Sequence, residues 1–182
     1  MKTEEKKIYL TFDDGPVPGV TPAALSVLKE AGVKATFFCV GDNVRKHPDV
    51  FAQVVAEGHA VGNHTFHHVD GWQTPSLKYL REVQECSAFV KSELFRPPYG
   101  RMRRSQFNAL KKKFKVVMWD VLTCDFDPSL TKEDVLALSL KHAREGSIVV
   151  FHDSVKAEEK MLWALPRFIE RMQQQGFTFG VL

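Results

Sequence analysis

Ile8-Tyr9-Leu10-Thr11-Phe12-Asp13-Asp14-Gly15-Pro16 is an apolar, strand-like run that stops on two adjacent carboxylates and a Gly-Pro turn. A strand end ordinarily favours neutral or turn-forming residues. Two like charges side by side repel, so at least one calls for a cation or a proton nearby. Asp-Gly-Pro is good turn chemistry, but a turn accounts for one aspartate and not for two behind an apolar strand. The same arrangement, an apolar run followed at once by polar residues, recurs along the chain wherever a strand is expected to end.

Outward from this stretch, strand-like and helix-like segments alternate. Strands are expected at 6–12, 35–39, 60–62, 94–96, 115–119, 147–151 and 177–180. Helices are expected at 21–31, 47–57, 76–91, 103–113, 131–143 and 156–175. Thr21-Pro22 and Thr74-Pro75 read as an N-cap with proline at the first helical position. Thr131 with Asp134 three residues on reads as another cap. Gly32, Gly58, Gly146 and Gly176 stand past helix ends, where a left-handed residue is needed. Strand–helix alternation implies a parallel α/β sheet, open or closed into a barrel. There is no linker, repeat or low-complexity segment, so residues 1–182 are expected to form one domain.

The composition excludes several classes. A 44% hydrophobic content is that of a globular chain, and 25 basic against 22 acidic residues give a net charge of only +3. That argues against a nucleic-acid partner. The basic stretches 101–104 and 111–113 read as solvated helix surface near a site. No apolar run reaches the ~20 residues of a membrane span. Residues 1–7 are charged and lack a signal peptide's apolar stretch. The chain as it stands therefore reads as cytoplasmic, with the cell envelope open to it if an N-terminal segment is missing. Cys39, Cys86 and Cys124 form no even framework and no CxxC. The first two read as buried free thiols and Cys124 as a packing residue.

The polar clusters fall after strands, at the edge where parallel α/β architectures build their sites. Gly62-Asn63-His64-Thr65-Phe66-His67-His68 offers two imidazoles four residues apart, with His67 pointing elsewhere. One of the two aspartates with His64 and His68 makes a three-ligand set for zinc that leaves a position for water. The other aspartate is then free to act as a base. Arg96-Pro97-Pro98-Tyr99-Gly100 holds a rigid backbone path. Its arginine could grip a catalytic carboxylate, and its backbone could aim an N–H at an oxyanion. Ile148 to Asp153 is a buried strand ending in His152, well placed for a general acid. Asp125 and Asp153 are both candidates to hold it, though Asp153, as the next residue, reads better as a cap of the turn that follows.

These residues together resemble the polysaccharide deacetylases, the NodB-homology carbohydrate esterases of family 4. Thr11 to Pro16 is similar to that family's first motif, His64 to His68 to the second, and Arg96 to Gly100 to the third. Leu122 to Phe126 stands where the fourth is expected, and Val150-Phe151-His152 where the fifth is. The resemblance runs from about Ile8 to the C-terminus, and includes residues 41–44 and Gly58-His59. It implies a distorted (β/α) barrel, often of seven parallel strands. It implies Asp14, His64 and His68 as metal ligands, for zinc or alternatively cobalt or nickel, and Asp13 as base. Arg96 would orient Asp13, the Tyr99 backbone N–H would hold the oxyanion, and His152 assisted by Asp125 would protonate the leaving amine. Phe126 and Val150 would line the acetyl-methyl pocket, altered in shape from the family's tryptophan and leucine. Leu122 replaces an aspartate and removes any polar role there. The implied reaction is removal of an N-acetyl group from an amino-sugar glycan of peptidoglycan or chitin type. An O-acetyl esterase on xylan, a non-catalytic carbohydrate-binding protein and a metal-storage or sensing domain are the alternatives. The implied partner is an N-acetylated carbohydrate; the oligomeric state is not legible.

Overall fold

The computed structural model describes residues 6–182; the first five residues of the charged N-terminal stretch lie outside them. Every recorded strand pairing is parallel. The centre is β1 (Lys7–Asp13), with β2 (Thr36–Cys39), β3 (Ala60–Asn63), β4 (Leu94–Phe95) and β5 (Lys115–Val116) following on one side. On the other side lie β7 (Ile148–His152) and then β6 (Val121–Leu122). This seven-strand ribbon, curled and covered by helices, is the distorted barrel expected. An eighth strand, β8 (Thr178–Gly180), pairs with the first half of β1, below the stretch that β2 occupies. Among the described residues no ladder joins β5 to β6, so the barrel stays open there.

Period-two alternation in β1 divides its side chains between two faces. Phe12 stacks on Phe37 of β2 at 4.8 Å and on Phe151 of β7 at 6.1 Å. Phe151 in turn meets Phe168 of α7 (Glu158–Gln174) at 6.1 Å. The buried positions of α7, Met161, Ala164, Leu165, Phe168, Ile169 and Met172, recur at helical spacing and form one stripe. Thr11 and Asp13 point to the opposite face. There the Arg96 guanidinium, wholly buried, lies 4.1 Å from the Phe38 ring and fills the barrel interior.

Helix starts differ from expectation in two places. α1 (Val20–Glu30) begins one residue early, with Gly19 as its N-cap. Thr21 is therefore inside it, and its hydroxyl accepts from Val17 N and donates to Asp153 instead. α4 (Ser76–Phe89) is capped by Pro75 without a side-chain bond, so Thr74 lies outside. The Thr131 cap of α6 (Lys132–His142) forms as read: its Oγ1 accepts from Asp134 N at 3.1 Å, and Thr131 N donates to the Asp134 carboxylate at 2.9 Å. Three short elements went unpredicted, α2 (Gly41–Lys46), β6 and a single 3₁₀ turn at Pro98–Gly100. α3 (Pro48–Ala56) and α5 (Arg104–Leu110) fall within expected helices. No helix of the described residues is long and apolar enough to cross a membrane.

Strand register carries the chemistry to one edge. Asp13 lies beside His152, and Cys39 beside Asn63. His64 N then bonds to Cys39 O and Arg96 N to Asn63 O, both at 3.0 Å, continuing the ladders one step beyond the strands. Five non-glycine residues have positive φ, Asp14 (87°), Thr65 (63°), His68 (54°), Tyr99 (59°) and Cys124 (56°). All five lie in loops at this carboxyl edge. Left-handed backbone in non-glycine residues is unfavourable, and it clusters where function over-determines the geometry.

Candidate metal and catalytic site

Asp14, His64 and His68 each present one ligand atom such that the three lie within 4.8 Å of one another. His68 Nε2 is 3.1 Å and His64 Nε2 3.9 Å from Asp14 Oδ1. Donors at ~2 Å from one tetrahedral ion stand roughly 3.3 Å apart, so the set needs little adjustment to close on one. The protonation states suit it. His64 is buried, and burial above all, with the charge of His68, brings its pKa down to about 4 despite Asp13 and Asp14. It is neutral at pH 7, and Nδ1–H donates to Arg96 O at 2.8 Å, which leaves the Nε2 lone pair facing the carboxylates. Burial acts to raise the Asp14 pKa. The hydrogen bond from His68 and the charges of His152, His64 and His68 outweigh it, and Asp14 is held well below the usual carboxylate range. These residues fit a divalent cation.

The turn that aims Asp14 is held from outside the cluster. Gly15 N donates to Asp153 Oδ1 at 3.0 Å and Thr21 Oγ1 to Asp153 Oδ2 at 2.6 Å. A Cβ on Gly15 would come within 1.9 Å of that carboxylate, so glycine is required for the approach. Burial, and then the charge of Asp14, push the Asp153 pKa up to about 8 against those hydrogen bonds. Asp153 therefore belongs to the β1 turn. It neither holds His152 nor caps the turn that follows it.

Asp13 is gripped by Arg96 Nη1 at 2.7 Å through Oδ1, while Oδ2 lies 3.9 Å from His64 Nε2. The other donors of Arg96 reach Thr11 Oγ1 (2.8 Å), Val117 O (3.3 Å) and Met118 O (3.2 Å). Arg96 thereby satisfies carbonyls at the place where the barrel is open. His152 Nδ1 lies 2.7 Å from Asp125 Oδ1, and His152 N donates to Asp125 Oδ2 at 2.8 Å. Burial lowers the His152 pKa, but the Asp125 hydrogen bond and the charges of Asp125, Asp13 and Asp14 prevail and hold it above its ordinary value.

A pocket of about 240 Å³ is lined by Asp13, Asp14, His64, His68 and His152, with Tyr99, Arg101, Trp119, Leu122, Phe126 and Lys156 around them. Phe126 packs edge-on against His152 at 4.8 Å, and the Tyr99 ring lies 4.7 Å from His68. Val150, expected in the pocket wall, is fully buried and is not among the lining residues. It is paired between Thr11 of β1 and Leu122 of β6, and Leu122 provides the apolar wall in front. Arg96 and Asp125 stand behind the lining. Sequence reasoning missed Trp119 and Lys156, whose Nζ is 4.0 Å from Asp14 and 5.2 Å from the Phe126 ring. It read Arg101 only as solvated surface. No spacing marks these residues, since each reaches the pocket from a different loop. His67 turns away to Glu82 at 3.1 Å, and Cys39 and Cys86 are free and buried, as expected.

Comparison with known proteins gives concordant results. The family profile described as "Polysaccharide deacetylase" matches residues 1–118. A peptidoglycan-N-acetylglucosamine deacetylase of Bacillus cereus is 33% identical over 184 residues, covering 96% of this chain and 85% of that protein. A chitooligosaccharide deacetylase of Azorhizobium caulinodans is 32% identical over 199 residues, covering 98% and 93%. A crystal structure of a peptidoglycan N-acetylglucosamine deacetylase superposes with a TM-score of 0.93 at 28% identity, covering 98% of this chain and 87% of that one.

Proposed function

The chain belongs to the polysaccharide deacetylase family, and from that premise we propose that it hydrolyses the N-acetyl group of an amino sugar within a glycan, releasing acetate and leaving a free amine. Residues 1–182 would act as one catalytic domain. The observation that carries this reading is the register that sets Asp13 beside His152 across one pocket, each oriented by a buried partner of opposite charge.

Asp14, His64 and His68 would hold a divalent ion, zinc by the character of the donors, with cobalt or nickel compatible. When bound, such an ion supplies Lewis acidity, acidifying water and polarising the acetyl carbonyl. With Oδ1 engaged by Arg96, Asp13 keeps Oδ2 toward the pocket to take the proton of the attacking water. The water oxygen joins the acyl carbon as the C–N bond breaks. His152 donates Nδ1–H to Asp125, so its Nε2 proton is available to the departing nitrogen, which without protonation is a very poor leaving group. The Tyr99 backbone N–H would add a hydrogen bond to the acyl oxygen, and Phe126 and Leu122 would receive the methyl group.

Acetate release from peptidoglycan fragments and N-acetylglucosamine oligomers tests this. Release should vanish after chelator treatment and return with zinc or cobalt. Failure on every amide substrate, with turnover of an O-acetylated xylan, would replace the reading by an esterase.

A further inference from the structure

Trp72 is more than half exposed, at 58% of its surface, yet it is held at four points. Its backbone N–H donates to Asp70 Oδ1 at 2.8 Å, and its carbonyl accepts from Arg103 Nη2 at 2.7 Å. Its indole N–H donates to Met102 O at 3.3 Å. The Arg101 guanidinium lies 5.1 Å from its ring centre and is itself tied to Asp70 at 3.1 Å. The loop beneath is clamped as well. Gln106 Nε2 donates to Gly71 O at 2.9 Å and to Thr74 O at 3.2 Å. A Cβ on Gly71 would come within 2.4 Å of Arg101 O. Two of these anchors fix the backbone, and the indole hydrogen bond and the Arg101 guanidinium hold the ring itself, so an indole left mostly exposed is nevertheless set in place.

Arg101 links this ring to the pocket. Trp72 follows His68 by four residues, and the Arg101 that stacks on it also lines the catalytic pocket. We infer that Trp72 is a stacking platform for a pyranose ring of the glycan, a neighbour in the chain of the sugar whose acetyl group is removed. This inference rests on the amino-sugar reading above. The ligand class follows from the chemistry: a rigid, uncharged aromatic face takes the C–H face of a hexose, and the adjacent guanidinium offers donors to its hydroxyls. A pre-set ring adds affinity because no side-chain entropy is lost on binding. The enzyme should therefore favour chains over single sugars.

The experiment measures binding and turnover across N-acetylglucosamine oligomers from one to six units. Binding is read by calorimetry in an Asp13→Asn background, so that it does not depend on catalysis. In the unsubstituted enzyme kcat/KM should rise with chain length. Trp72→Ala should lose roughly three- to tenfold for long oligomers, mainly in KM, while leaving the shortest substrate that is turned over unchanged. Trp72→Tyr, which keeps an aromatic face without the indole N–H, should recover most of the loss. An unaltered length dependence in Trp72→Ala, or an equal loss on every length, would overturn the platform and leave deacetylation standing. Absence of binding and turnover for all oligomers in the unsubstituted enzyme would sink the amino-sugar reading and the platform with it.

Discussion

Asp125 and Arg96 are each a fully buried charge set against one pocket residue, His152 and Asp13 respectively, to which the proposed mechanism gives the acid and base roles. For His152 the consequence is a pH profile. Burial alone would lower its pKa, and the Asp125 hydrogen bond and charge, with Asp13 and Asp14, raise it. A general acid must be protonated, so amide turnover should fall as pH rises through that raised pKa. Asp125→Asn removes the negative charge beside the imidazole, and with it the charge assistance of that hydrogen bond, and leaves burial in place. The alkaline limb of kcat/KM should then move to lower pH, with a loss of about 10²-fold or more. An unmoved limb would take the acid role away from His152. The identities of these residues were legible from the chain, because an apolar run ending in Asp-Asp or in His-Asp has no packing reason to do so. What was not legible is which oxygen faces which nitrogen. The sequence offered both Asp125 and Asp153 to His152, with a turn cap as the better reading of Asp153, and only the fold shows Asp153 turned to Gly15 and Thr21.

At the scale of elements, long periodic segments were legible and short ones were not. α7 and β1 each carry their apolar pattern over enough residues to be unambiguous. β6 has two residues and α2 six, too few for a period to show, and both are fixed by their neighbours. The three threonine caps were read from local signals, a following proline at Thr21 and Thr74 and Asp134 at Thr131, and were divided by tertiary context. Thr131 caps α6 with no competitor, whereas Thr21 is drawn to a buried carboxylate. The two should therefore respond differently to truncation. Thr131→Ala should cost about 1 kcal/mol in urea unfolding, the ordinary value of an exposed cap. Thr21→Ala strands Asp153 Oδ2 and the Val17 N–H, and should cost about 1–3 kcal/mol. A smaller loss at Thr21 than at Thr131 would contradict the proposed division of roles.

Across the whole molecule, the ligand set joins parts of the sheet that do not pair directly. Asp14 follows β1 and His64 and His68 follow β3, with β2 between them. Without a cation, the three-residue cluster must hold an ionised carboxylate against two imidazoles in loops with left-handed backbone. With one, the loops after β1 and β3 become a single cross-linked unit. An ion that binds the folded chain and not the unfolded one adds RT ln(1 + [M]/Kd), about 2.7 kcal/mol at one hundred times Kd. For a chain of this size that corresponds to a rise in Tm of several degrees. Zinc titrated into chelator-treated protein should therefore raise Tm progressively as its concentration passes Kd. His64→Ala should abolish the rise, because it removes the most deeply buried donor of the set. Asp13→Asn should preserve it, since the proposed assignment makes Asp13 the base and not a ligand. A rise that survives in His64→Ala would place the cation elsewhere, and one that disappears in Asp13→Asn would exchange the roles of the two aspartates.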